Sequence, residues 1–145
     1  MEATGNVTSY GYDLLDNLIN VTNGGQSRSF TYSLSHLASA NNPESGYVSY
    51  TYDANGNLVS RMDARDILTC FGTANGSGPS ATCTSGVGTG YDALNRPLKR
   101  SYTDGTPAVT FTYDTDFKGA LAAISNSVST TSFTHDGFGR IGSST

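Results

Sequence analysis

Tyr50-Thr51-Tyr52-Asp53-Ala54-Asn55-Gly56-Asn57-Leu58 decides how this chain folds. Up to Tyr52 the residues alternate. Val48, Tyr50 and Tyr52 point one way, and Tyr47, Ser49 and Thr51 the other, the spacing of a half-buried strand built from β-branched and aromatic residues. Asp53 then opens a turn, and Asn55-Gly56 tolerates the positive φ that closes a tight hairpin. Leu58-Val59-Ser60-Arg61-Met62 reads as the return strand.

Working outward, the same phrase recurs. Tyr12-Asp13-Leu14-Leu15-Asp16-Asn17-Leu18 and Tyr91-Asp92-Ala93-Leu94-Asn95-Arg96-Pro97 share Tyr-Asp, then Asn or Arg at the fifth place after Tyr. Tyr113-Asp114 opens a copy with a longer turn before Leu121, and His135-Asp136-Gly137-Phe138-Gly139-Arg140-Ile141 carries His for Tyr. A shortened copy lies at Phe30-Thr31-Tyr32-Ser33-Leu34-Ser35-His36-Leu37. The anchors fall at 12, 32, 52, 91, 113 and 135, spaced by 20–22 residues apart from one gap of 39 that reads as a period plus an insertion. Periods of about 20–50 residues mark repeat architectures, in which one unit cannot bury its apolar side alone. Each period reads as strand, turn, strand, turn: Val109–Tyr113 and Leu98–Tyr102 are further strands, and Thr103-Asp104-Gly105-Thr106-Pro107 a linking turn. No segment shows helical apolar spacing with caps. The expected fold is all-β, with tandem hairpins of about 20 residues forming a curved antiparallel sheet strip. Residues 1–145 make a single repeat region of about six repeats, with an insertion loop at 72–90.

Composition agrees. Hydrophobic residues make up 36% and charged residues 14%, below the usual figures of about 45–50% and about 25%. Gly (17), Ser (19), Thr (19) and Asn (11) fill the difference, beside nine Tyr, six Phe and no Trp. Disordered chains of low hydrophobicity carry high net charge and few aromatics; this one has many aromatics and a net charge of −4. Its eight Lys and Arg are scattered, whereas nucleic-acid and anionic-membrane surfaces need clustered basic residues. No stretch approaches the roughly 18 apolar residues of a membrane-crossing helix. Met1 to Asn6 has neither a basic nor an apolar region of signal-peptide type.

Tyr-Asp followed by two residues, then Gly and Asn, or Arg, at this period resembles the RHS/YD repeat family. Tyr52, Asp53, Gly56, Tyr91, Asp92, Arg96, Tyr12, Asp13, Tyr113, Asp114, Asp136, Gly139 and Arg140 carry the resemblance, which extends from about residue 7 to 141. The short copy at 31–37, His135 and the insertion depart from the pattern. The resemblance implies a structural role, because such repeats build a β-sheet strip that spirals into a hollow shell. In insecticidal toxin complexes and bacterial polymorphic toxins the shell encloses a C-terminal toxic domain; in teneurins a similar barrel serves adhesion. In many bacterial members an aspartyl-protease-like motif at the shell's end frees the toxin. Neither that motif nor a toxin domain is recognisable in this sequence.

The expectation is therefore a non-enzymatic wall segment of a bacterial shell that encapsulates or displays a toxin or effector, secreted or at the cell surface. Its partners would be further repeats, or a second copy through the sheet edges, and an enclosed toxin domain. Ile141 to Thr145 reads as stopping just after a hairpin turn, where a return strand should run, as in a piece of a larger wall. The alternative is a carbohydrate- or cell-surface-binding module, with rows of Tyr and Asn stacking on and hydrogen-bonding to glycans. Which way Tyr10, Tyr12, Tyr50, Tyr52 and Tyr113 point separates the two.

No cofactor, metal or catalytic residues are expected. The Asp of each Tyr-Asp reads as a turn cap, accepting the N–H groups of the turn it opens. Asp114/Asp116 and Asp63/Asp66 read as turn or strand-end residues, and His36 and His135 as structural. Cys70 and Cys83 bracket a Gly/Ser/Thr-rich stretch without zinc-ligand spacing. A disulfide, as extracellular life would favour, and two free thiols both stay open, and the stretch between them reads as a flexible surface loop. Asn6-Val7-Thr8, Asn20-Val21-Thr22 and Asn75-Gly76-Ser77 match the N-glycosylation pattern, as chance predicts in so polar a chain.

Overall fold

The computed structural model describes residues 7–145; Asn6 of the first glycosylation pattern lies outside them. The chain is all-β, as the repeat predicts, and forms two compact units, one running to Asp66 and the other from Ile67 to Thr145. Among the described residues the only helical element is a three-residue 3-10 turn, Gly78–Ser80.

The first unit is an antiparallel meander of β1 (Thr8–Tyr12), β2 (Leu18–Asn23), β3 (Gln26–Ser33), β4 (His36–Asn42), β5 (Gly46–Tyr52) and β6 (Leu58–Met62), each strand pairing with the next. Register sorts its side chains into two faces. Phe30 opposes Ala40, which opposes Val48, while Tyr10 opposes Val21 and Tyr50 opposes Arg61. On the other face, Ser9 opposes Thr22, which opposes Ser27; Thr31 opposes Ser39, which opposes Ser49; and Thr51 opposes Ser60. One side thus collects the aromatic and aliphatic residues, with Arg28 and Arg61 among them, and the other is mainly hydroxylic, as alternation along a strand dictates.

The second unit pairs β7 (Leu68–Cys70) with β10 (Lys99–Tyr102), then β11 (Val109–Tyr113), β12 (Leu121–Ser125), β13 (Thr130–His135) and β14 (Ile141–Ser144). A small hairpin, β8 (Thr73–Asn75) and β9 (Thr82–Thr84), stands apart from that sheet. Two expectations change here. The insertion at 72–90 is no featureless loop: its first part, Thr73 to Thr84, is a hairpin tied by the Cys70–Cys83 disulfide, with a Cα–Cα distance of 5.5 Å. Moreover, the return strand after Arg140 is present. Ile141–Ser144 pairs with β13, and Thr145 and Ser132 exchange both backbone hydrogen bonds, because ladder formation needs backbone groups and not large side chains.

Both units are thin. Among the described residues only Ala40, Val48, Leu68, Cys70, Tyr91 and Ala122 are buried hydrophobics. Most strand residues are half-buried, as they are in a sheet one layer thick.

Candidate functional site

The recurring Tyr-Asp is a hairpin clasp. In the first copy, Asp13 Oδ1 accepts the N–H groups of Leu15 and Asn17, both at 2.9 Å, and Oδ2 accepts Asn17 Nδ2 at 2.9 Å. Asp53 holds Asn55, Asn57 and the Asn57 amide with the same three distances. In the Arg copies the guanidinium replaces the amide. Asp92 accepts Leu94 N, Arg96 N and Arg96 Nε at 2.8, 2.9 and 2.6 Å, and Asp136 accepts Phe138 N, Arg140 N and Arg140 Nε at 2.9, 3.0 and 2.7 Å. The fifth place after the anchor supplies a side-chain N–H donor to the same carboxylate in all four, which explains why it is Asn or Arg.

The backbone closes the same loop. The Asp N–H donates to the carbonyl four residues on, and the residue three after Asp donates back to the Asp carbonyl. That third residue adopts positive φ in every copy of this form: Asp16 at 59°, Gly56 at 81°, Asn95 at 60° and Gly139 at 77°. Gly, Asn and Asp are the residues that tolerate it. The register shifts at Tyr12, Tyr52, Tyr113 and His135, where the return strand carries one extra residue, Ile19, Val59, Ala122 and Gly142 in turn, just after the turn.

Within each unit, neighbouring clasps touch. The Tyr52 hydroxyl donates to the Leu37 carbonyl at 3.1 Å, and its ring lies 4.7 Å from that of His36. A Cβ on Gly56 would sit 2.9 Å from His36 Nε2. In the second unit the Tyr113 hydroxyl donates to the Pro97 carbonyl at 3.0 Å, and Arg96 lies over the Tyr113 ring, 4.4 Å from its centroid. Arg96 also reaches Asp114 with both terminal nitrogens, joining two successive turns. A Cβ on Gly139 would come within 2.6 Å of the Phe117 ring. His135 sits beside Asp116, which accepts its N–H at 2.8 Å and meets its Nδ1 at 3.1 Å.

Electrostatics follow the hydrogen bonds. The Arg96 guanidinium, helped by the Gly119 N–H, holds the Asp114 pKa down at about 2. The Asn17 and Asn57 amides lower Asp13 and Asp53, the Arg96 N–H lowers Asp92, and the Arg140 guanidinium lowers Asp136. Burial raises the phenols of Tyr52 and Tyr113. These carboxylates are satisfied acceptors inside turns, a poor arrangement for general acid–base work. Among the described residues no three His, Cys, Asp or Glu side chains cluster as metal ligands would.

The tyrosines divide. Tyr52 and Tyr113 spend their hydroxyls on neighbouring turns, whereas Tyr10 and Tyr12, on the outermost strand of the first unit, are 59% and 58% exposed. Tyr91 ends no regular strand; it is buried and stacks on Phe71 with ring centroids 5.9 Å apart. A cavity of about 380 Å³ between the Asp53 clasp and the short turn at Leu34-Ser35 is bordered by His36, Ala38, Tyr50, Tyr52, Asp53 and Gly56.

Sequence reasoning places Asp63 and Asp66 in a turn or at a strand end without seeing the form of that turn, and misses a second feature altogether. Asp63 opens another such turn, accepting the Arg65 N–H at 2.9 Å and, at its carbonyl, the N–H of Asp66, whose φ is 61°. Met62 stands where Tyr would, and the Asp-x-x-Asp pattern alone carries the signal. The other feature is a series of hydroxyl pairs: Thr31–Ser39 and Thr51–Ser60 at 2.6 Å, and Thr134–Ser143 at 2.8 Å. Thr directly before each anchor, with Ser eight or nine residues later, was the readable sign.

Neither a family model nor a curated protein sequence matches this chain. Solved structures do. A structure of the Photorhabdus luminescens Tc holotoxin pore carrying a TccC3 substitution superposes with a TM-score of 0.68 at 15% identity over 94% of this chain. This chain shares its fold. Crystal structures of TcdB2-TccC3-Cdc42 and TcdB2-TccC3-TEV match with TM-scores of 0.67 and 0.66, at 15% and 14% identity, each over 92% of this chain. The chain spans 7% of the length of each of these toxin-complex chains. The likeness is one of fold, in keeping with the resemblance read from the sequence, and with the recurring turns it makes this chain a β-repeat module.

Proposed function

We propose that this module is a non-enzymatic wall segment of a larger β-shell that encapsulates or displays a toxin or effector. The observation that carries the reading is thinness. Sheets one layer deep, with six buried hydrophobic residues among those described, hold together by clasps and ladders and not by a closed core. A wall has that construction; a free-standing enzyme needs a walled pocket with converging unsatisfied groups. The fold likeness to toxin-complex chains supports the same reading. The partners are further repeats joined through sheet edges, together with an enclosed polypeptide, and the location is extracellular or at the cell surface, where a disulfide such as Cys70–Cys83 persists.

The test is the native protein isolated from its source, treated with protease before and after mild denaturation. The expected result is a polypeptide far heavier than 15.2 kDa, containing a segment that resists cleavage until the shell is opened. A native species of this mass that stays monomeric at every concentration overturns the proposal.

A further inference from the structure

The insertion between β7 and β10 is fastened to the sheet at few points. Cys70, in β7, is fully buried at 0% exposure, and its disulfide partner Cys83 lies half-buried in the middle of β9. Besides that covalent bond, polar contacts join the start of this stretch to β10. Ser101 Oγ accepts the Ala74 N–H at 2.7 Å and donates to the Gly72 carbonyl at 2.9 Å, and Lys99 Nζ donates to Thr73 Oγ1 at 3.2 Å. The hairpin itself has two strands of three residues each, joined through the Gly78–Ser80 turn. An isolated two-stranded hairpin is marginal in water, so its own ladder does not hold it down.

We propose that β8–β9 is a redox-released flap: the Cys70–Cys83 disulfide latches it across β10, and a dithiol reductant frees it while the sheet β7-β10-β11-β12-β13-β14 stays folded. The asymmetry of burial sets the order of events. A reductant thiolate attacks Sγ of Cys83, the less buried of the two residues, forming a mixed disulfide there while the Cys70 sulfur leaves as thiolate and takes a proton. The reductant's second thiol then displaces Cys83, so that the protein gains two thiols and the reductant closes as a cyclic disulfide. Ser101, buried beneath the flap at 7% exposure, is uncovered with its hydroxyl unpaired.

Hydrogen exchange read by mass spectrometry on the whole chain, before and after dithiothreitol, tests this. Exchange of residues 73–84 is expected to accelerate by roughly tenfold or more on reduction, with β11–β14 unchanged. Cys83→Ser is expected to reproduce the reduced pattern without reductant. Unchanged protection in 73–84 overturns the proposal. So does failure of dithiothreitol to open the bond without denaturant, or simultaneous loss of protection throughout β11–β14, which would make the disulfide a staple of the whole unit.

Discussion

Replacing Gly139 by Ala isolates the contact between successive clasps. Two costs combine at this position. The backbone stands at φ +77°, a left-handed conformation that costs a residue with a Cβ about 1–2 kcal/mol. The new methyl would also sit 2.6 Å from the Phe117 ring and 3.0 Å from its next carbon. The ring must move, and overpacking of that kind costs about 1–3 kcal/mol. Gly105 supplies the control in the same unit: its φ is +86°, and a Cβ there meets nothing within 4 Å. A more restricted unfolded chain returns about 0.4–1 kcal/mol to either variant. Gly105→Ala should therefore lose about 1.5 kcal/mol or less, and Gly139→Ala about 1–4.5 kcal/mol. Urea unfolding followed by β-sheet circular dichroism measures both. Gly139→Ala, Phe117→Ala should recover much of the difference, since the clash then has no partner. Equal losses in the two single variants would refute contact between turns as the reason for glycine at that position.

Acid should weaken the second unit through Asp114. Its pKa is held at about 2 in the fold against about 3.9 in an unfolded chain, so the stability it contributes is complete above pH ~4 and disappears as pH falls toward 2; in Arg96→Met, the Asp114 carboxyl midpoint read by NMR should move back toward the ordinary range. Thr51→Val and Ser60→Ala should couple by about 0.5–1.5 kcal/mol in a double-mutant cycle, while a coupling near zero would mean that the hydroxyl pair is incidental. Tyr52→Phe, which removes the bond to the Leu37 carbonyl, should lower stability by about 0.5–1.5 kcal/mol. The same change at exposed Tyr12 should leave the denaturation midpoint in place.

Most of this architecture is readable from Tyr52-Asp53 onward because each clasp is local. Five consecutive residues hold the acceptor, its N–H donors, the positive-φ position and the reinforcing side chain, so the pattern survives in one dimension. What escaped reading depends on pairs distant in sequence. Arg96 belongs to its own turn by spacing, and only strand pairing brings Asp114, 18 residues on, against it. Ser101 receives the Ala74 N–H across 27 residues, and nothing in its neighbours marks it as the seat of a flap. The 72–90 stretch looked loose because Gly, Ser and Thr dominate it, whereas a covalent bond and a buried hydroxyl give it order. The strand after Arg140 was overlooked because Ile141-Gly142-Ser143-Ser144 has little apolar content, although its backbone pairs as well as any other.

The locality of the clasp makes the hairpin a cassette. Because Asp53 and its donors lie within one turn, removing or inserting a strand-turn-strand block of about 20 residues severs no clasp. It also removes strands two at a time, so every later strand keeps its direction and presents the same side chains to each face; losing a single strand would reverse the next one. A chain of this kind can lengthen or shorten by whole periods with every remaining clasp intact, and only the contacts between successive turns, such as Arg96 with Asp114, need matching at the junction.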